Sequence, residues 1–196
     1  CCLAKELEIM TASQQRGRWV LLGMVLFFAA PLVIVLTMHF FNVHPTGASH
    51  GVLVAEAKPL KLPTSAGVDQ SKLWQDKWNL LYVAERCEAV CQQSIAEMRQ
   101  IHASLEKDIP RVQRVLITAQ PTDASIKQQF PDLVIISDAT TNTEVWQQVT
   151  ALTQSQEASI YLVDPFGNLA MRFPPSLPAK DIRKDLVRLL KYSWAG

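Results

Sequence analysis

The twenty residues from Trp19 to Met38, WVLLGMVLFFAAPLVIVLTM, contain no charge. At 1.5 Å per residue a run of this length crosses a hydrocarbon core about 30 Å thick. In lipid the backbone must satisfy its own hydrogen bonds, so the run is predicted to be a helix. Pro31 inside it is tolerated there and is expected to kink it. Arg16 and Arg18 flank the near side, whereas the far side offers only His39, His44 and His50 before Lys58. That asymmetry predicts a cytoplasmic tail over 1–18, a single transmembrane helix over 19–41 and the remaining chain across the membrane. A cleaved signal peptide is the competing reading. Its apolar region is usually only about 7–15 residues long and ends at small residues, and Met38-His39-Phe40-Phe41 is a poor cleavage context. Residues 1–9, CCLAKELEI, precede a stretch opened by Met10 and read as an over-long reading frame or a short tail.

The charge balance, 19 basic against 18 acidic residues in 196, gives no support for a nucleic-acid partner, which shows as a basic patch or stripe. The cysteines divide by compartment. Cys1 and Cys2 fall on the predicted cytoplasmic side, where structural disulfides are rare, and Cys87 and Cys91 fall on the oxidising side.

Beyond the apolar run, residues 42–70 are rich in Pro and Gly. They read as a tether and an edge hairpin, with Gly51–Ala55 and Leu60–Leu62 as short strands about Pro59. Residues 71–196 then alternate in type. Trp78–Val83 is near-continuously apolar, as in a strand covered on both faces. From Ala89 to about Lys107, apolar residues recur at steps of three and four, one face of a helix of about five turns. Arg114–Thr118 is a second strand, and the β-helix-β order predicts a parallel pair. Asp123 is a candidate cap for a short helix to Phe130. Leu133–Ile136 is a strand and Thr143–Leu152 a helix. Ser159–Val163 and Leu169–Phe173 form a hairpin about Asp164-Pro165-Phe166-Gly167-Asn168, and Pro178 opens a last helix through Tyr192. The order is that of an α/β, thioredoxin-like domain on a single N-terminal transmembrane helix.

The chemistry concentrates at Cys87 and Cys91, four residues apart where a strand gives way to a helix. Positions i and i+4 of a helix share a face, so the two sulfurs can approach each other. A helix N-terminus stabilises a thiolate, helped by Arg86 and opposed by Glu85 and Glu88. Such a pair suits reversible disulfide exchange or Cu(I), a soft ion content with few ligands. The bland reading is a structural disulfide, although closing so small a ring removes little unfolded-state entropy. Structural zinc is disfavoured, because it takes four ligands.

The Trp78-Asn-Leu-Leu-Tyr-Val strand, the Cys87-Glu-Ala-Val-Cys91 pair and the Tyr161-Leu-Val-Asp-Pro-Phe-Gly167 turn, behind an N-terminal anchor, resemble the Sco/SenC family over roughly residues 50–192. Within that family the chain also resembles the small proteobacterial transmembrane branch. The resemblance implies a thioredoxin-like assembly factor of cytochrome c oxidase, anchored in the inner membrane with its C-terminal domain in the periplasm. It implies Cys87 and Cys91 as working thiols and metal ligands, copper as the metal, and a respiratory oxidase subunit or its assembly factors as partner. Two departures weigh on this. The family's prolines around the cysteines are replaced by Glu-Ala-Val and Gln92, and Gln156 stands where a copper-ligating histidine is expected. His102, about 16 Å along the helix from Cys91 at 1.5 Å per residue, cannot share that ion. His44 and His50 in the tether are candidates to approach it.

The remaining candidates read as structure. Asp164 serves its turn, Trp74, Trp78 and Trp146 anchor core or interface, and the last helix shows a solvated basic face that could also dock on an acidic protein or lipid headgroups. Two functions remain: an oxidase assembly factor working through the CxxxC pair by thiol exchange, transient Cu(I) binding or both, or a non-catalytic interaction subunit with a structural disulfide.

Overall fold

The computed structural model describes residues 2–40, 49–54, 58–63, 73–74 and 76–193, the side chains of 2–17 and 39 excepted. The chain divides into two compact units, Cys1–Ala48 and Ser49–Gly196. In the first, α1 (Cys2–Phe40) is one continuous helix of 39 residues with Pro31 inside it. Its segment Arg18–Met38 is long and apolar enough to cross a membrane, and none of it is buried. A helix apolar on every side matches a lipid solvent.

The second unit is built on a six-stranded sheet of order β1-β6-β5-β2-β3-β4. Its strands are β1 (Val52–Leu53), β2 (Trp78–Ala84), β3 (Val112–Thr118), β4 (Leu133–Ser137), β5 (Ile160–Val163) and β6 (Leu169–Phe173). Strands β2, β3 and β4 run parallel, whereas β5 is antiparallel to both β2 and β6. The helices are α2 (Ala89–Ala103), α3 (Ala124–Gln129), α4 (Ala139–Thr153) and α5 (Ala179–Tyr192). Because successive strand residues point to opposite faces, each strand feeds two cores. Leu80, Tyr82, Leu116, Leu162 and Phe173 pack with Ile95 and Met98 of α2 and Leu186 of α5. Leu81, Val83, Val115, Tyr161 and Val163 pack with Val145 and Val149 of α4 and with Trp74. Each such side chain, once buried, contributes about 1.5–3 kcal/mol. This is the α/β, thioredoxin-like fold that the alternation predicts.

Several elements differ from the sequence expectation. The edge hairpin does not form: Val52–Leu53 pairs with Arg172 and Met171 of β6, and Pro59 bridges Asn168 beside the β5–β6 turn. Both short segments find their partners more than a hundred residues away, because the free edge of β6 offers a ladder that neither segment can build with the other. The helix after the cysteines stops at Ala103, and a 3₁₀ turn (Glu106–Arg111) holds Pro110 before β3. Asp123 occupies the cap position of α3 without a side-chain cap bond. Helix α4 starts four residues earlier than expected, because the Asp138 carboxylate accepts from the backbone N–H and the hydroxyl of Thr141. Those bonds hold the Asp138 carboxyl below its usual range.

Two buried polar arrangements join distant elements. Arg114, fully buried on β3, places Nη2 2.6 Å from Asp132, while its Nε and Nη1 have no hydrogen-bond partner among the described residues. Burial raises the Asp132 carboxyl, but the Arg114 hydrogen bond and charge outweigh it, so the net shift is downward. On α5, the Asp185 carboxylate is 3% exposed. It accepts from the backbone N–H of His50 (2.7 Å) and of Gly51 (2.8 Å), and Nδ1 of His50 lies 3.1 Å from its other oxygen. The clasp also seats Gly51 where a Cβ would lie 2.5 Å from the Phe173 ring.

Candidate functional site

Strand β2 ends at Ala84, and the chain turns through Glu85 and Arg86 into α2. Three contacts fix this turn from outside. The carbonyl of Glu85 accepts from the backbone N–H of Ala119 (3.1 Å) and Gln120 (3.3 Å) in the loop after β3. Asn142, in the first turn of α4, donates from Nδ2 to the carbonyls of Ala84 (2.8 Å) and Ile117 (3.2 Å), tying the ends of β2 and β3 together. Asn142 was absent from the sequence candidates. Its signal was a polar residue four positions after a capping Asp, on the face that also carries Val145 and Val149.

Cys87 and Cys91 are disulfide-bonded, with Cα atoms 5.0 Å apart. Cys87 precedes the helix and is half-buried, whereas Cys91 lies in its first turn and is 4% exposed. No acidic residue lies inside that first turn, so the positive end of the helix dipole favours a thiolate when the pair is reduced, against the opposing charge of Glu88 at the cap position. Glu88 takes the cap position without a side-chain cap bond.

An open cleft of about 750 Å³ adjoins the pair. Cys91 and Val90 line one wall, Thr143 and Trp146 of α4 another, and Gln156 and Ala158 ahead of β5 the end. Val90 is 69% exposed, an apolar side chain presented to solvent next to the disulfide. Gln156 therefore does reach the cleft that holds Cys91, and it brings an amide instead of an imidazole.

The histidines lie elsewhere. His102 is held at the start of β3, its Nε2 2.8 Å from the carbonyl of Val112 and 3.2 Å from that of Ile109. His50 is held by Asp185, and His44 lies outside the described residues. Among the described residues no group of three His, Cys, Asp or Glu side chains is placed to hold a metal ion. Of the other candidates, Asp164 does serve its turn, accepting at Oδ1 from the N–H of Phe166 and Asn168. Trp74 is buried against Gly167, whose φ is +87°. Trp78 donates to the Ser193 hydroxyl at 3.4 Å, and Trp146 borders the cleft while packing on the second core.

Residues 78–193, more than half of the chain, match the family model described as transmembrane-like, thioredoxin-like, C-terminal domain. The chain belongs to that family. Among the curated proteins none matches it. The fold of this thioredoxin-like family member is similar to solved Sco structures. Yeast Sco1 with copper bound aligns over 63% of this chain and 84% of its own, at 16% identity and a TM-score of 0.51. ScoI of Bradyrhizobium japonicum with copper bound aligns over 60% and 88%, at 22% identity and a TM-score of 0.46. BsSco, a member of the Sco family of cytochrome c oxidase assembly proteins, aligns over 74% and 97%, at 13% identity and a TM-score of 0.48. At these identities the likeness is one of fold.

Proposed function

We propose that this chain is a membrane-anchored, Sco-like factor that assists cytochrome c oxidase assembly through the Cys87–Cys91 pair. The observation that carries this is the pair itself: two cysteines in bonding distance at a helix N-terminus, one of them accessible, beside an open cleft with an exposed apolar wall. Helix α1 serves as a single-pass anchor in the inner membrane, with the N-terminus in the cytoplasm and the sheet domain in the periplasm. The partner is an oxidase subunit, or an assembly factor acting on it, with a cysteine pair of its own.

In the reduced chain, the Cys87 thiolate attacks one sulfur of a partner disulfide, and the partner's other sulfur leaves as a thiolate. Cys91, deprotonated beside it, then attacks the Cys87 sulfur. This frees the second partner thiolate and closes the Cys87–Cys91 bond seen in the structure. Two electrons pass to the partner, whose thiolates take up the protons released by the cysteines. The exposure order supports the roles, since an incoming sulfur meets Cys87 before Cys91.

Copper enters as cargo. The reduced pair offers two soft thiolates and suits Cu(I) in transient, two-coordinate form. It does not suit Cu(II), for which Gln156 supplies no imidazole. Weight therefore falls on thiol exchange.

The test is complementation. A Cys87→Ser, Cys91→Ser double variant, expressed at the normal level, is expected to abolish the gain in oxidase activity that the unaltered chain restores to a deletion strain. Full activity with both cysteines gone would overturn the proposal in favour of an interaction subunit with a structural disulfide.

A further inference from the structure

We propose that the outer face of α5 rests on anionic phospholipid headgroups, holding the sheet domain against the bilayer; this depends on α1 being a membrane anchor. Three observations converge. The first is charge. At about 100° per residue, Arg183, Val187, Lys180, Lys191, Lys184 and Arg188 follow one another around α5 outside the buried stripe of Ile182, Leu186 and Leu190, with Arg183 at the edge of that stripe, its Nε donating to the Ser104 carbonyl. The helix carries five bases against two acids, in a chain that is otherwise close to neutral, with 19 against 18 overall. Of those acids, Asp185 is buried beneath His50 and Gly51, and Asp181 is paired with Lys184 at 2.8 Å.

The second is the apolar content of the same face. Val187, between Arg183 and Lys180 in the cationic arc, is 37% exposed, and Tyr192 beyond Arg188 is 75% exposed with the Lys191 ammonium 5.6 Å from its ring centre. A surface in which long basic side chains surround a small apolar centre and an aromatic edge suits the interface. The ammonium and guanidinium groups meet phosphates while the valine and tyrosine enter the headgroup layer.

The third is where the chain attaches. The backbone N–H groups of His50 and Gly51 are fastened to Asp185 on α5 itself. Ten residue steps separate Phe40, at the end of α1, from His50, at most about 35 Å of extended chain. The segment leaving the membrane helix is thus tied to the one helix that bears the basic face. That raises the local concentration of lipid phosphate at α5 without any further partner.

The full chain, reconstituted in liposomes, tests this by lysine acetylation read by mass spectrometry. Liposomes of phosphatidylcholine alone are compared with liposomes that are about one-third phosphatidylglycerol. Acetylation of Lys180, Lys184 and Lys191 is expected to slow about five-fold or more on the anionic liposomes, while Lys61 and Lys77, outside α5, keep their rates. An Arg183→Gln, Arg188→Gln double variant is expected to recover most of the rate, since each cation near an anionic surface is worth about five-fold in binding. High salt should do the same. Equal rates on the two lipids overturn the proposal, and so does protection that appears only in native membranes, which marks a protein partner. Extraction of the chain from liposomes by alkaline carbonate overturns the anchor reading instead, and this proposal with it.

Discussion

Two places in the sheet domain, the Asp185 clasp and the cysteine turn, handle reactive side chains in opposite ways. At the clasp, Asp185 accepts two backbone N–H groups and the His50 ring contact at 3% exposure. A histidine and a carboxylate that could carry chemistry are consumed in fastening residues 49–53 to α5. At the cysteine turn the distant polar bonds, from Asn142, Ala119 and Gln120, go to backbone carbonyls, as does the local one from Gln92 to Cys87. The sulfurs bond only to each other, and Val90 faces solvent. A group whose bonds are all committed to holding the fold is not available to a partner. The cysteine turn is held still through its backbone, and its sulfurs are engaged only in the disulfide.

Three changes test that contrast. Asp185→Ala strands the buried Gly51 donor and the part-buried His50 donor, at about 1–3 kcal/mol for the buried one and less for the other. It is expected to destabilise the protein by about 3 kcal/mol in denaturant unfolding while leaving the Cys87–Cys91 exchange rate with a small dithiol unchanged. An effect on exchange as large as that on stability would dissolve the distinction. Asp132→Asn leaves the Arg114 guanidinium buried without its counter-charge. Because Asp132 is itself half exposed, the usual penalty for breaking a buried pair is discounted to about 2 kcal/mol. The pH dependence follows from the lowered Asp132 carboxyl. Its contribution is full above the ordinary aspartate range near 4 and is lost as pH falls through the lower folded value. Acid unfolding of Asp132→Asn should therefore lack that component, and unchanged acid sensitivity would argue against the assignment. Val90→Asp, at an exposed position, should cost under about 0.5 kcal/mol in stability. It should slow exchange with a protein disulfide about ten-fold through lost apolar contact and added negative charge, without slowing exchange with a small disulfide to the same extent. Equal slowing of both would mean that Val90 acts on the thiols and not on docking.

The parts of the fold legible in the sequence are those set by local periodicity. The apolar Trp78–Val83 run, the three-and-four spacing after Ala89 and the Asp164–Asn168 turn each recur in the structure, because burial on one or two faces dictates the spacing of apolar residues wherever the partner lies. Starts and stops were less legible. Asp138 begins α4 through a side-chain bond to Thr141, a signal carried by two polar residues and invisible to an apolar pattern. The helix expected to about Lys107 stops at Ala103, and a 3₁₀ turn that holds Pro110 follows it.

By itself, then, the sequence determined an apolar span with no place in water, an alternating α/β domain and a cysteine pair at a strand-to-helix turn, since each follows from the chemistry of neighbouring residues. Only the tertiary structure decided which partners those elements take. It put β1 on the edge of β6 instead of in a hairpin, brought Gln156 to the cleft of Cys91, took His50 away from it, and fastened His50 and Gly51 to α5. Those outcomes join residues up to 135 positions apart. No local pattern encodes them, because a strand edge or a buried carboxylate accepts any donor that the rest of the fold delivers in the right register.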